Sequence, residues 1–140
     1  MSDLAHTIEQ YHRALDAFVT GEPVTKKLFS RRDDVTLANP LGPPVRGWDQ
    51  VENAMENAAS QLREGEPCQF ERISEYATAD LAYTVWIERS RMKLGGADEP
   101  APTALRVTTI FRREDGEWKI VHRHADPITS PRPPESVAAQ

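Results

Sequence analysis

The chain has one cysteine, Cys68, in 140 residues. An internal disulfide framework is excluded, and a reducing compartment fits. Nowhere does the sequence approach the roughly 18 consecutive apolar residues of a membrane-spanning helix, and the N-terminus carries no basic segment followed by an apolar run. Positive charge is scarce as well. Seventeen Lys and Arg against 22 Asp and Glu leave a formal net charge of −5, which argues against a phosphate-backbone partner. The expectation is a soluble cytoplasmic protein with no nucleic-acid or membrane partner. Also missing are a Walker loop, a dinucleotide fingerprint, a His-Glu-x-x-His pair and a nucleophile elbow. No Ser, Cys or Lys has a visible activating partner, so any chemistry is expected to be free of cofactors. There is no internal repeat, and the length is that of one domain.

What the sequence does contain is a change of periodicity. Leu4, Ile8, Tyr11, Leu15 and Phe18 lie on one stripe of an amphipathic first helix, capped by Ser2 or Asp3 and ended by Gly21. Pro23 starts a short second helix that carries Val24, Leu28 and Phe29 inward. A strand, Val35-Thr36-Leu37-Ala38, then runs into the irregular Asn39-Pro40-Leu41-Gly42-Pro43-Pro44. A third helix is expected from Trp48 to Leu62, with Val51, Met55, Ala58 and Leu62 aligned. From Cys68 the pattern is that of strands: Cys68 to Ala77, Asp80 to Met92, and a hairpin from Leu105 to Asp126 turning at Asp115-Gly116. Helices followed by antiparallel strands define an α+β chain, folded over residues 1–126, with a Pro-rich tail expected to be disordered or loosely packed over 127–140.

Strict alternation divides the hairpin into two faces. Arg106, Thr108 and Ile110 share one with Trp118, Ile120, His122, His124 and Asp126; Val107, Thr109 and Phe111 share the other with Lys119, Val121, Arg123 and Ala125. The strand from Asp80 to Met92 sets Leu81, Tyr83, Val85 and Ile87 against Ala82, Thr84, Trp86 and Glu88. Both faces are mixed, and helices cover only one side of a sheet. A second copy of the chain is therefore expected on the outer face, giving a homodimer.

In order and composition these elements resemble the nuclear transport factor 2-like cone fold, of the SnoaL-like kind. Arg106-Val107-Thr108, Phe111-Arg112, Asp115-Gly116, Trp118-Lys119-Ile120-Val121-His122 and His124 resemble the closing hairpin of the branch that includes the association domain of calmodulin-dependent kinase. The resemblance covers residues 3 to about 126. It implies a conical pocket between helices and sheet, and places Arg106, Thr108, His122 and His124 in it. Where that branch usually shows a serine two residues after the second histidine, this chain has Asp126, an added carboxylate at the rim. The family includes isomerases, cyclases, epoxide hydrolases, dehydratases and non-enzymatic modules, so it leaves open whether the protein is an enzyme.

Ketosteroid isomerase chemistry is disfavoured on the residues. Val35 to Gly42 is similar to the segment that holds that family's catalytic aspartate, but the position is Asn39, and an amide cannot abstract a carbon-bound proton. The strand from Thr103 to Arg112 also lacks that family's acidic donor, while Tyr11 falls on the first helix as its tyrosine does.

His122 and His124 point from one face at a spacing that suits two metal ligands, but no third ligand is specified, and no metal is expected. With Asp126 either histidine can form a base-orienting dyad, which makes His122, His124 and Asp126 the catalytic candidates of an enzyme working by acid–base chemistry, an isomerase, cyclase or hydrolase. Arg106 on a core-facing strand requires an anion, supplied either by Glu88 as a structural pair or by an acidic small molecule. Arg106, Thr108, Asn39, Trp86, Glu88, Tyr11 and Trp118 are the expected ligand-binding residues. Their ligand is small, partly apolar and, if Arg106 clamps it, anionic. The competing expectation is an oligomerisation or accessory module without a working pocket.

Overall fold

The computed structural model describes residues 3–139. An amphipathic helix α1 (Asp3–Phe18) buries Leu4, Ile8, Tyr11 and Leu15, the stripe its sequence periodicity sets. Asp3 is the first described helical residue, and the alternative cap Ser2 lies outside the described residues. Val24–Leu28 forms a single 3-10 stretch where a second α-helix was expected, so two α-helices precede the main sheet. The chain is already extended at Phe29, so the helical stretch stops after five residues, a short piece of the kind in which the tighter 3-10 turn is common. Phe29 itself is buried, and its backbone bridges to Ile120.

Strand β1 (Thr36–Ala38) and a two-residue β2 (Val45–Arg46) flank the proline-rich bend. Gly47 then joins β2 to α2 (Trp48–Ala59) at a φ of +88°, which a side-chain-bearing residue rarely adopts. Its N–H donates to the Val35 carbonyl at 2.8 Å and its carbonyl accepts from the Val51 N–H at 3.0 Å. Helix α2 stops before the expected Leu62, because Leu62–Arg63 peels away as strand β3 to pair with Leu94 and Lys93.

The long strands β4 (Gln69–Ala77), β5 (Leu81–Leu94), β6 (Ala101–Glu114) and β7 (Glu117–Asp126) build an antiparallel sheet. Along the sheet the order is β2-β1-β7-β6-β5, with β3 and β4 both pairing with β5. Strand β1 adds to β7 in parallel, setting Thr36, Leu37 and Ala38 beside His122, Arg123 and His124. The curved sheet wraps around α1 and α2, and the core of Phe29, Val35, Val51, Phe111 and Ile120 is fully buried where they meet. No helix among the described residues is long and apolar enough to cross a membrane.

The hairpin turns at Asp115 and Gly116, both at positive φ, as the dipeptide implied. Its faces do not alternate strictly. Ile110 pairs with His122 but the next residue, Phe111, pairs with Ile120, so Val121 is an extra residue in β7. The β-bulge resets the phase: Trp118 and Ile120 point inward before it, Arg123 and Ala125 after it. His122 and His124 thus join Arg106 and Thr108 of β6 on the outer face, opposite to the pocket placement that the family resemblance implied.

Candidate functional site

Between α1, α2 and the concave face of the sheet lies a cavity of about 520 Å³. Leu15 and Phe18 of α1, Met55 and Ala58 of α2, Met92 of β5 and Ala125 of β7 contribute to walls that are mostly apolar. Asn39-Pro40-Leu41 from the bend and Pro127 and Thr129 from beyond β7 also line it.

Three polar side chains converge in this lining. Arg123 Nη1 donates to the Tyr11 hydroxyl at 2.6 Å and to Glu88 Oε2 at 3.0 Å, and Nη2 donates to Glu88 Oε1 at 2.9 Å. Only 12% of the Arg123 side chain and 10% of the Glu88 side chain are exposed. Cross-strand register explains the meeting: Arg123 lies opposite Thr109, which lies opposite Thr84, on the face that also carries Glu88. Tyr11 comes from the buried stripe of α1. Burial pushes the Tyr11 hydroxyl up to about 12, against the opposing pull of the Arg123 charge. Burial opposes ionisation of Arg123 too, but Glu88 and Tyr11 outweigh it and hold the guanidinium more firmly protonated than usual.

Next to this group, Cys68 lines the cavity, its thiol pushed up to about 12 by burial and then by the Glu88 and Asp16 carboxylates. Its backbone N–H donates to Asp16 Oδ1 at 2.7 Å. His12 stacks on Phe70 with ring centroids 3.7 Å apart and meets Trp86 edge-on, and burial holds its pKa below the ordinary histidine value.

Of the residues singled out from sequence, Tyr11, Glu88 and Asn39 line the cavity. Asn39 Oδ1 is used locally, accepting the Leu41 N–H at 2.9 Å. Trp86 packs against His12 and Phe70, and Trp118 is buried in the core under the Arg113 guanidinium. Neither belongs to the cavity lining.

The remainder form a row on the outer face. Arg106 does not meet Glu88; its Nε donates to Asp126 Oδ1 at 2.7 Å, and its side chain is 52% exposed. Ile87, the residue before Glu88, is its neighbour in register, which puts Arg106 on the opposite side from the Glu88 carboxylate. His124 Nε2 lies 3.1 Å from Asp126 Oδ2, so the histidine–aspartate contact exists, but outside the cavity. His122 Nδ1 is 2.7 Å from Thr36 Oγ1, and partial burial followed by the neighbouring His124 lowers its pKa. Thr108 pairs across with His124. Among the described residues no three His, Cys, Asp or Glu side chains converge as metal ligands would.

Arg123 is the site residue that sequence reasoning missed. Its signal was present: the set Val107, Thr109 and Phe111 is the more apolar side of β6, and a cation sharing that side needs a buried anion.

A curved antiparallel sheet closed over two helices, with a polar cluster among apolar cavity walls, defines a nuclear transport factor 2-like cone protein. The SnoaL-like domain pattern matches residues 5–129, and the chain belongs to that family. Solved structures agree in fold. A candidate calcium/calmodulin-dependent protein kinase type II association domain from Thiobacillus denitrificans is 22% identical with a TM-score of 0.69, covering 88% of this chain and 93% of that one. A ketosteroid isomerase-like protein from Erwinia carotovora atroseptica is 15% identical with a TM-score of 0.73, over 90% and 94% of the two chains. A nuclear transport factor 2-like superfamily protein from Salmonella enterica serovar Typhimurium is 17% identical with a TM-score of 0.73, over 94% and 93%. Among curated proteins nothing matches.

Proposed function

We propose that this SnoaL-like protein binds a small, largely apolar molecule inside the cone, with the polar end of the molecule against Tyr11, Glu88 and Arg123. The observation that carries this reading is the cavity of about 520 Å³, mostly apolar, with one hydrogen-bonded cluster of Tyr11, Glu88 and Arg123 in its lining. Such a shape rewards burial of hydrocarbon, and the few convergent polar groups fix its orientation. Binding without turnover is the better-supported reading. Both Glu88 oxygens are occupied by Arg123, and the Tyr11 hydroxyl is pushed up to about 12, so neither is a ready proton acceptor at neutral pH. His122, His124 and Asp126 could act as acid–base groups only on a molecule bound to the outer face.

Thermal-shift screening of neutral aromatic compounds tests the binding, with Leu105→Trp, opposite Glu88 on the inner side of β6, as a variant that fills the cavity. Stabilisation of the parent that disappears in Leu105→Trp supports the reading. Stabilisation retained in the filled variant overturns it.

The outer face favours pairing with a second copy as well. Ile73 is 55%, Tyr76 61% and Leu81 51% exposed, an unusual concentration for sheet residues that have only water above them. The Arg106–Asp126 pair, further along the same face, is neutral, which suits a surface that meets its own image. A homodimer through this face would bury the strip. Sedimentation equilibrium decides: a monomer at micromolar concentration contradicts the pairing.

A further inference from the structure

The polar cluster also bears on the charge of the ligand, provided that the cavity is the binding site. A guanidinium has five N–H donors in one plane. Two on Nη1 serve Glu88 and Tyr11, and one on Nη2 serves Glu88. The other Nη2 donor and the Nε donor lie side by side on one edge, and no acceptor among the described residues takes them. That edge offers a ligand a fork of two donors. Its shape would suit a carboxylate, but its charge does not. Among the described residues Glu88 and Arg123 are the only charged ones lining the cavity, and they cancel. A second carboxylate on the same guanidinium would leave two negative charges against one positive in an apolar enclosure, with Asp16 close behind Cys68 adding to the negative field.

We propose that the cavity selects ligands presenting an uncharged acceptor, such as an amide, ester or ketone oxygen, to the free edge of Arg123, and that Glu88 is the residue that excludes carboxylates. Sequence reasoning had left an anionic ligand open on the strength of Arg106. In the folded chain the cation of the cavity is Arg123, and its charge is already spent on Glu88.

Three probes of nearly equal shape test this: naphthalene-2-carboxamide, methyl naphthalene-2-carboxylate and naphthalene-2-carboxylate, titrated calorimetrically at pH 7.5. The parent protein should bind the amide and ester at least about tenfold more tightly than the acid, as one unscreened like charge at this distance implies. In Glu88→Gln the guanidinium keeps an oxygen to donate to but loses its counter-charge. Affinity for the acid should rise at least about tenfold there and overtake that of the amide. Glu71→Gln, which removes a surface carboxylate paired with Arg89, should leave the ratios unchanged. Should Glu88→Gln fail to fold by circular dichroism, the comparison of probes in the parent decides alone. Equal binding of acid and amide by the parent, or no gain for the acid in a folded Glu88→Gln, overturns the proposal while leaving cavity binding intact. Failure of all three probes to bind the parent overturns cavity binding itself, and this inference with it.

Discussion

Arg123→Met is the substitution whose cost the structure sets most clearly. It keeps much of the side chain's length but leaves the Glu88 carboxylate, 10% exposed, with neither of its two donors at 2.9 and 3.0 Å. It also removes the donor 2.6 Å from the Tyr11 hydroxyl. Breaking a buried ion pair from one side costs about 3–5 kcal/mol, because the stranded charge has lost its water without compensation. The cavity can admit water, which places the expectation near about 3 kcal/mol, or on the order of 10 °C in Tm for a domain of this size. Replacing both partners, as Glu88→Gln with Arg123→Met, strands no charge and should cost only about 1 kcal/mol. Urea denaturation of the parent, the two single variants and the double variant at pH 7.5 measures the cycle. A cost below about 1 kcal/mol for Arg123→Met, or single effects that simply add in the double variant, would refute the claim that the pair is desolvated and coupled.

Other substitutions test the frame around the cavity. In Gly65→Ala the added methyl would collide with the Val19 carbonyl and side chain, where the Gly65 N–H now donates to Val19 at 3.1 Å, whereas Gly96→Ala enters open space. The first should cost about 2 kcal/mol and the second almost nothing by chemical denaturation, and equal effects would contradict the close approach. His12 and His122 have folded pKa values below the ordinary histidine value. The unfolded chain therefore binds more protons, so their contribution is complete above about pH 6.5 and is lost as pH falls through the lower folded values. His12→Phe, which keeps the stack on Phe70, should make Tm between pH 7.5 and 5.5 less pH-dependent; an unchanged slope counts against the burial of a neutral imidazole. Tyr76→Lys should shift the sedimentation of the protein to a monomer with an unchanged circular dichroism spectrum, and a persistent dimer would exclude the outer face as the interface.

The fold was legible because its signals are local and repeated. Leu4, Ile8, Tyr11 and Leu15 mark the buried face of α1, and Asp115-Gly116 marks the hairpin turn. The even phase of Leu81, Tyr83, Val85 and Ile87 against Ala82, Thr84, Trp86 and Glu88 also holds through the sheet, since β5 and β6 pair without interruption. The site was half legible. Tyr11 and Glu88 were named from sequence, but one inserted residue, Val121, inverted the phase of β7 and exchanged Arg123 for His122 and His124. Neither Val121 nor its neighbours carry the glycine that often announces a bulge, so alternation alone could not reveal it. The short β2 and β3 were illegible for another reason. Two-residue strands are defined by the partner that happens to lie alongside, Thr36-Leu37 for one and Lys93-Leu94 for the other, rather than by their own composition.

Met55 and Met92 line the cavity from α2 and β5, and provide reporters inside it. With methionine methyl groups labelled with carbon-13, titration with naphthalene-2-carboxamide should shift both resonances saturably, while the amides of outer-face Tyr83 and His124 stay in place. Shifts confined to the outer face, or no saturable change at Met55 and Met92, would contradict binding inside the cone.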